Sequence, residues 1–282
     1  MFAIIGIIVV LGAVIGGYLM EHGNLAVIFQ PAEILIIFGA AIGSFFIASP
    51  MKVIRLVSKH ISAVFGVKNR SKENYLELLS LMNTLYTKIR KDGLISVEAD
   101  IETPAESPLF QKYKEILANK KAIDFICDNL KVIISSNLPA HEMENLMDID
   151  IAAHQHESLI PAGSVAKVAD SLPGFGIVAA VLGVVLTMGK IDQPPEVLGH
   201  SIGAALVGTF LGVLMCYGFV GPMAANLEHQ AKDDEAFYEV IKASMVAFVG
   251  GAAPQMSVEF GRRAIPGKER PTFNELEEYI RK

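Results

Sequence analysis

PGFGIVAAVLGVVLTMGK at residues 173–190 and SIGAALVGTFLGVLMCYGFVGPMAANL at residues 201–227 decide how this chain is built. Apolar runs of this length read as membrane spans. Between 172 and 227 the strongly ionisable residues Lys190, Asp192, Glu196 and His200 all lie in the connector, and the spans themselves hold no acid, base or histidine. A membrane device that moves protons needs a titratable group within the bilayer. These two segments are suited to line or pack a pathway whose titratable group another component supplies.

Across the whole chain, 52% hydrophobic content and a mean hydropathy of +0.43 place the 282 residues among membrane proteins. Two further spans, about 2–20 and 34–51, carry no charged residue. Each is roughly 27 Å long as a helix, enough to cross the hydrocarbon core. The expected layout is a transmembrane hairpin at 1–51 and a helical domain at 52–171. A second hairpin at 172–227 follows, with spans at about 172–189 and 201–225, then a helical C-terminal segment at 228–282. The fold class expected is an all-α membrane protein with four transmembrane helices, a large cytoplasmic helical domain between spans 2 and 3, and a cytoplasmic tail.

The basic residues set that orientation. The connector 21–33 has no lysine or arginine and 190–200 has one, while the other 23 of 24 lie in 51–171 and after 223. Lys52, Arg55, Lys59, Lys68, Arg70 and Lys72 follow the second span before any acid appears. The positive-inside rule then puts the middle domain and both termini in the cytoplasm. Phe2–Met20 lacks the basic flank and cleavage site of a secretory signal, and reads as a retained span. Cys127 and Cys216 read as unpaired packing thiols, and a net charge of −6 gives no pointer to a nucleic acid.

Outside the spans the periodicity is helical. Tyr75, Leu79, Met82, Tyr86 and Ile89 form one apolar stripe, and Gly93 is placed to stop that helix. Ser107 or Pro108 is expected to open a helix through Phe110, Tyr113, Ile116 and Leu117. Another runs from about 122 to 136, and one from His141 to about Leu159 is expected to stop before Pro161. Residues 236–251 read as an amphipathic cytoplasmic helix, and 274–282 as a last short one. Small residues recur at helical spacing in the spans: Gly12 and Gly16, Gly39 and Gly43, Ala179 and Gly183, Gly199 and Gly203, Gly208 and Gly212. Such pairs let helices approach closely in lipid and favour an oligomeric bundle.

No nucleotide loop, dinucleotide fingerprint or metalloprotease motif occurs. His141, His154 and His156 with Glu157 read as a solvated helix surface rather than a metal site. Thr209 has two readings of equal weight: a hydroxyl bonded back to a carbonyl one turn earlier, or one facing an ion path. Pro173 and Pro222, taken to open the third span and close the fourth at one membrane level, read as helix punctuation or as the frame of a hinge. Arg90, Lys91 and Asp92 with Glu98, Asp100 and Glu102 form a charged stretch, by itself a solvated face.

The stretches Pro173–Gly183, Val207–Gly212 and Tyr217–Pro222, with the tail sequences VEFGRR at 258–263 and RPTFNELEE at 270–278, closely resemble the MotA family of flagellar motor stator subunits. The resemblance spans essentially the whole chain. It implies a torque generator of the inner membrane in which about five such chains surround a dimer of a MotB-like partner. The partner's single span supplies the ion-carrying aspartate and its outer domain grips peptidoglycan, while the cytoplasmic domain pushes the rotor protein FliG. It further implies that Arg90, Glu98 and, more weakly, Asp150 contact the rotor. Pro173 and Pro222 would couple ion flow to movement, and Thr209 would face the ion path. Sodium-driven relatives tend to carry threonine where this chain has Ala180. A methyl cannot replace sodium's hydration shell, so protons are the expected ion and no cofactor is implied. Gly174 departs from the alanine frequent in relatives. An ExbB or TolQ type of subunit would have three spans, and a solute carrier would show a polar or broken-helix site at mid-membrane. The four-span pattern argues against the first, only Thr209 approaches the site that the second would need, and no enzyme is indicated.

Overall fold

The computed structural model describes residues 2–61, 64, 70–136 and 138–281. Lys68 of the basic run and Lys282 at the end of the tail helix lie outside them. Among the described residues there is no strand. The helices are α1 (Phe2–Met20), α2 (Leu25–Ile28), α3 (Pro31–Ala48), α4 (Met51–Ile61), α5 (Lys72–Asp92), α6 (Glu98–Glu102), α7 (Lys114–Ala118) and α8 (Lys120–Ser135). Then come α9 (Ala140–Met188), α10 (Pro195–Leu214), a π-helical turn at Met215–Val220, α11 (Gly221–Val249), α12 (Pro254–Ala264) and α13 (Phe273–Arg281). Four helical stretches, Phe2–Met20, Leu25–Ala48, Ala140–Met188 and Pro195–Val249, are long and apolar enough to cross a membrane.

The chain divides into two compact units, Met1–Val67 with Ser158–Gln230 and Lys68–Glu157 with Ala231–Lys282. Two of the divisions, after Glu157 and after Gln230, fall within helices α9 and α11. In the first unit α1 buries no residue, as suits a helix whose solvent is lipid. Its core gathers Ile37 and Ala41 from α3, Ala169, Leu172 and Ala179 from α9, and Cys216 from the π turn. A second cluster brings Val57 of α4 onto Ala162, Val165, Ala224 and Leu227.

The second unit is built around α5. Its start is fixed by the Ser71 amide donating to Asn74 Oδ1 at 2.9 Å. Its end is set by Gly93, whose φ of +88° suits glycine and whose amide reaches the Ile89 carbonyl at 2.9 Å. The expected stripe is buried in full. Leu76, Leu78, Leu81 and Leu85 are buried too, because the helices around α5 leave it little free face. From α11 come Phe237, Ile241, Met245 and Phe248, the last stacked on Tyr86 with centroids 4.2 Å apart. Residues 236–249 are thus the end of α11 rather than a separate helix. Arg70 pairs with Asp234 and lies 3.9 Å over the Phe237 ring. Burial pushes the Cys127 thiol up to about 12, in keeping with a packing role.

Three further expectations are corrected. Helix α9 does not stop before Pro161, and both Pro161 and Pro173 lie inside it. Proline removes one backbone hydrogen bond and disfavours a helix in water by about 3 kcal/mol, yet helices packed in a membrane bundle tolerate it. The helix that carries the fourth span begins at Pro195, and Pro222 does not end it, since α11 carries on through that residue. The stretch after Ser107 forms only a 3₁₀ turn at Phe110–Lys112 and the short α7.

Candidate functional site

Helices α9 and α10 of the first unit meet along a seam of small residues. A methyl added to Gly176 would stand 2.7 Å from the Gly208 carbonyl oxygen and 3.1 Å from the Gly212 Cα. One on Gly212 would lie 2.5 Å from the Leu172 carbonyl, and one on Gly183 would lie 2.6 Å from the Ala205 Cβ. Backbone therefore touches backbone over about two turns, the close approach that small residues permit in lipid. Gly12, Gly16, Gly39, Gly43, Gly199 and Gly203 have nothing within 4 Å of such a methyl, so the other small pairs make no comparable contact within the chain.

Ala180 and Thr209 flank this seam, both half-buried. The Ala180 amide nitrogen lies 3.1 Å from the position of a Gly208 Cβ, and the Thr209 Cα 3.3 Å from that of a Gly176 Cβ. Thr187, about two turns beyond Ala180 on α9, commits its hydroxyl to the Gly183 carbonyl at 2.8 Å. No hydrogen bond of the Thr209 hydroxyl occurs among the described residues, so of its two readings the bond to a carbonyl one turn earlier is not formed. An uncommitted hydroxyl beside a seam lined by a methyl can accept and donate to water or to a partner helix.

Sequence reasoning missed Glu33. Placed there at the end of a connector, it is in fact the third residue of α3, only 8% exposed. Its Oε2 would lie 2.7 Å from a methyl on Gly208 and its Oε1 3.5 Å from one on Gly183. Oε2 is fully enclosed and has no hydrogen-bond partner. The signal that finds it is Pro31: proline favours the first helical position, which puts Glu33 in the first turn of the span.

The two prolines are not level. Gly212 faces Leu172, next to Pro173, whereas Pro222 lies ten residues further along, roughly 15 Å at 1.5 Å per residue. Pro222 lines a cleft of about 530 Å³ with Gly163, Ala166, Asp170 and Tyr217. Gly221 alone separates it from the π turn, and the Gly221 amide reaches back five residues to the Cys216 carbonyl. Because Pro222 has no amide to give the Gly218 carbonyl, the ladder widens just before it.

In the second unit Arg90 is exposed in the last turn of α5 and donates through Nη2 to the Gly251 carbonyl at 3.3 Å. Glu98, also exposed, begins α6 beyond the Gly93 stop and the Leu94–Val97 turn, so one short connection presents both. The charged stretch is not all solvated face. Asp100 is buried, takes Lys88 Nζ at 2.6 Å and accepts from Ser107 Oγ at 2.6 Å. Burial pushes its carboxyl up, but those two hydrogen bonds win and hold it below the usual range. Asp150 sits apart on α9, 3.6 Å from His154, whose ring stacks on Tyr238. Among the described residues no three histidine, cysteine or acidic side chains stand together as metal ligands.

Four membrane-length helices, a close-packed seam and a separate helical unit displaying charge define a multi-pass membrane subunit. Residues 4–93 match the family described as Motility protein A N-terminal, and residues 117–240 match the MotA/TolQ/ExbB proton channel family. The chain is 44% identical to Motility protein A of Escherichia coli (strain K12) over 281 residues, all of this chain and 95% of that protein. It is 35% identical to Chemotaxis protein LafT of Vibrio parahaemolyticus over 276 residues, covering 98% and 97% of the two. Its fold is similar to the flagellar MotAB stator complex from Bacillus subtilis, with a TM-score of 0.77 at 25% identity over 95% and 97% of the chains. The chain belongs to the motility protein A family: it is a flagellar motor stator subunit of the proton-channel class, not an enzyme.

Proposed function

We propose that this subunit joins a single-span, peptidoglycan-anchored partner of the MotB kind to form a channel that passes protons and turns their flow into torque on the rotor protein FliG. About five copies surround a partner dimer in the bacterial inner membrane, with both termini in the cytoplasm, where the excess of lysine and arginine belongs. The observation that carries the reading is the seam of α9 and α10, closed by glycine and flanked by the uncommitted Thr209 hydroxyl and the Ala180 methyl. Thr209 faces the ion route. Ala180 offers no oxygen to a sodium ion, which favours the proton. Pro173 within α9 and Pro222 after the π turn pass movement of the spans onward, and Arg90, Glu98 and Asp150 meet the rotor.

The test is complementation of a bacterium lacking its own stator subunit, with the chain co-purified against its partner. Swimming speed should follow the proton-motive force, and a dependence on sodium overturns the role given to Ala180. Thr209→Val keeps the shape without the hydroxyl, so it should cut speed several-fold while the complex still assembles, and Thr209→Ser should recover part of it. Arg90→Glu should weaken torque transfer and be partly rescued by the opposite change on FliG, with a coupling of about 0.5–3 kcal/mol in a double-mutant cycle. Additive losses in that cycle would remove Arg90 from the rotor contact.

A further inference from the structure

Glu33 is an acid that a membrane bundle has no packing reason to keep. Buried polar atoms in folded proteins are nearly always hydrogen-bonded, yet Glu33 Oε2 is enclosed without a partner. With 8% of the residue exposed, it does not reach out to lipid headgroups or bulk water as a snorkelling side chain would. Its carboxylate fits against Gly183 and Gly208, where a methyl on Gly208 would come within 2.7 Å of Oε2 and 3.1 Å of the Ala180 amide nitrogen. The glycines thus leave the carboxylate room beside the Ala180 peptide. Residues 173–189 and 201–227 contain no carboxylate, histidine, lysine or arginine of their own. No charged side chain forms an ion pair with Glu33 among the described residues. An intramembrane acid in that setting marks a place where charge is made and lost.

We propose that Glu33 is a proton-binding site on this subunit. Its carboxylate takes a proton from the outer aqueous side and releases it past Gly183 and Gly208 to a titratable group on the partner's span. Loading forms an O–H bond on Glu33 as a hydronium ion loses one and becomes water. Unloading breaks that bond, forms one on the acceptor and returns the carboxylate to its anion. The site rests on the proton-channel reading above and gives this subunit a proton carrier of its own.

The experiment is Glu33→Gln, which keeps shape and removes titration, in the assembled full-length complex. Swimming speed is followed as external pH crosses the carboxylate range. In parallel, infrared difference spectra follow the protonated-carboxyl band in complexes whose partner carries carbon-13-labelled carboxylates. The expected result is a several-fold loss of speed, a flattened dependence on external pH and disappearance of the unlabelled band, with Glu33→Asp recovering part of each. Wild-type speed at every external pH together with an unchanged band overturns the proposal. If Glu33→Gln does not assemble, Glu33→Asp decides: a displaced titration of the band supports the site, and a wild-type titration overturns it. A wild-type complex that shows the band but drives no swimming overturns the stator reading and leaves the proton site standing.

Discussion

Gly176→Ala should abolish swimming, whereas Gly174→Ala, two residues away in the same helix, should leave it unchanged. A methyl at 176 meets backbone on α10, 2.7 Å from a carbonyl oxygen and 3.1 Å from a Cα, and backbone cannot swing aside as a side chain can. Forcing one methyl group into such a contact costs about 1–3 kcal/mol and moves the helices apart. The seam then opens and Thr209 and Ala180 lose their setting. At 174 nothing lies within 4 Å, so alanine meets no neighbour and favours the helix by about 0.5–1 kcal/mol over glycine. Swim-plate diameter and the amount of complex in the membrane check the pair. Equal behaviour of the two variants would mean that the seam does not hold the hairpin.

Glu259→Ala has the largest effect expected in the second unit. Glu259 accepts from Arg262 at 2.6 and 2.7 Å and from Arg263 at 2.9 Å, with its side chain and that of Arg262 mostly out of solvent. Arg262 also donates to the Pro271 carbonyl at 2.9 Å, tying α12 to the approach of α13. Removing the carboxylate strands a mostly buried guanidinium, at a cost of about 3 kcal/mol. The unfolding midpoint of the full-length protein in detergent should fall accordingly, with Glu259→Gln in between. The hydrogen bonds from Arg262 hold the Glu259 carboxyl below its ordinary value. Its stabilisation is therefore complete above the unfolded carboxylate pKa, about 4.3, and fades as pH drops through the lower folded value. The gap between wild type and variant should narrow on that acid side. A variant that melts with the wild type at neutral pH would show that the cluster adds nothing.

Much of this architecture is legible in the residues. The stripe Tyr75, Leu79, Met82, Tyr86 and Ile89 and the stop at Gly93 are local patterns, and they appear where the pattern puts them. Other readings failed for identifiable reasons. Pro161, Pro173 and Pro222 read as helix boundaries, the last two with a hinge as the alternative, because proline breaks helices in water, but the helices around them continue. Asp100 read as one member of a solvated charge run because nothing local reveals that Lys88 and Ser107 converge on it. Glu33 read as connector because its own charge and Pro31 just before it end the apolar run, and its burial depends on glycines about 150 and 175 residues away along the chain.

What the sequence determined by itself is the number of membrane-length apolar helices, the uneven placement of basic residues among the loops and the family, since the length of an apolar run and the placement of charge are properties of contiguous residues. Only the tertiary structure decided which glycines form the seam, that Pro173 and Pro222 stand at different levels, and that a carboxylate lies beside Ala180. Those facts depend on the register between segments remote in the chain, which is fixed by close packing and is not written in either segment alone.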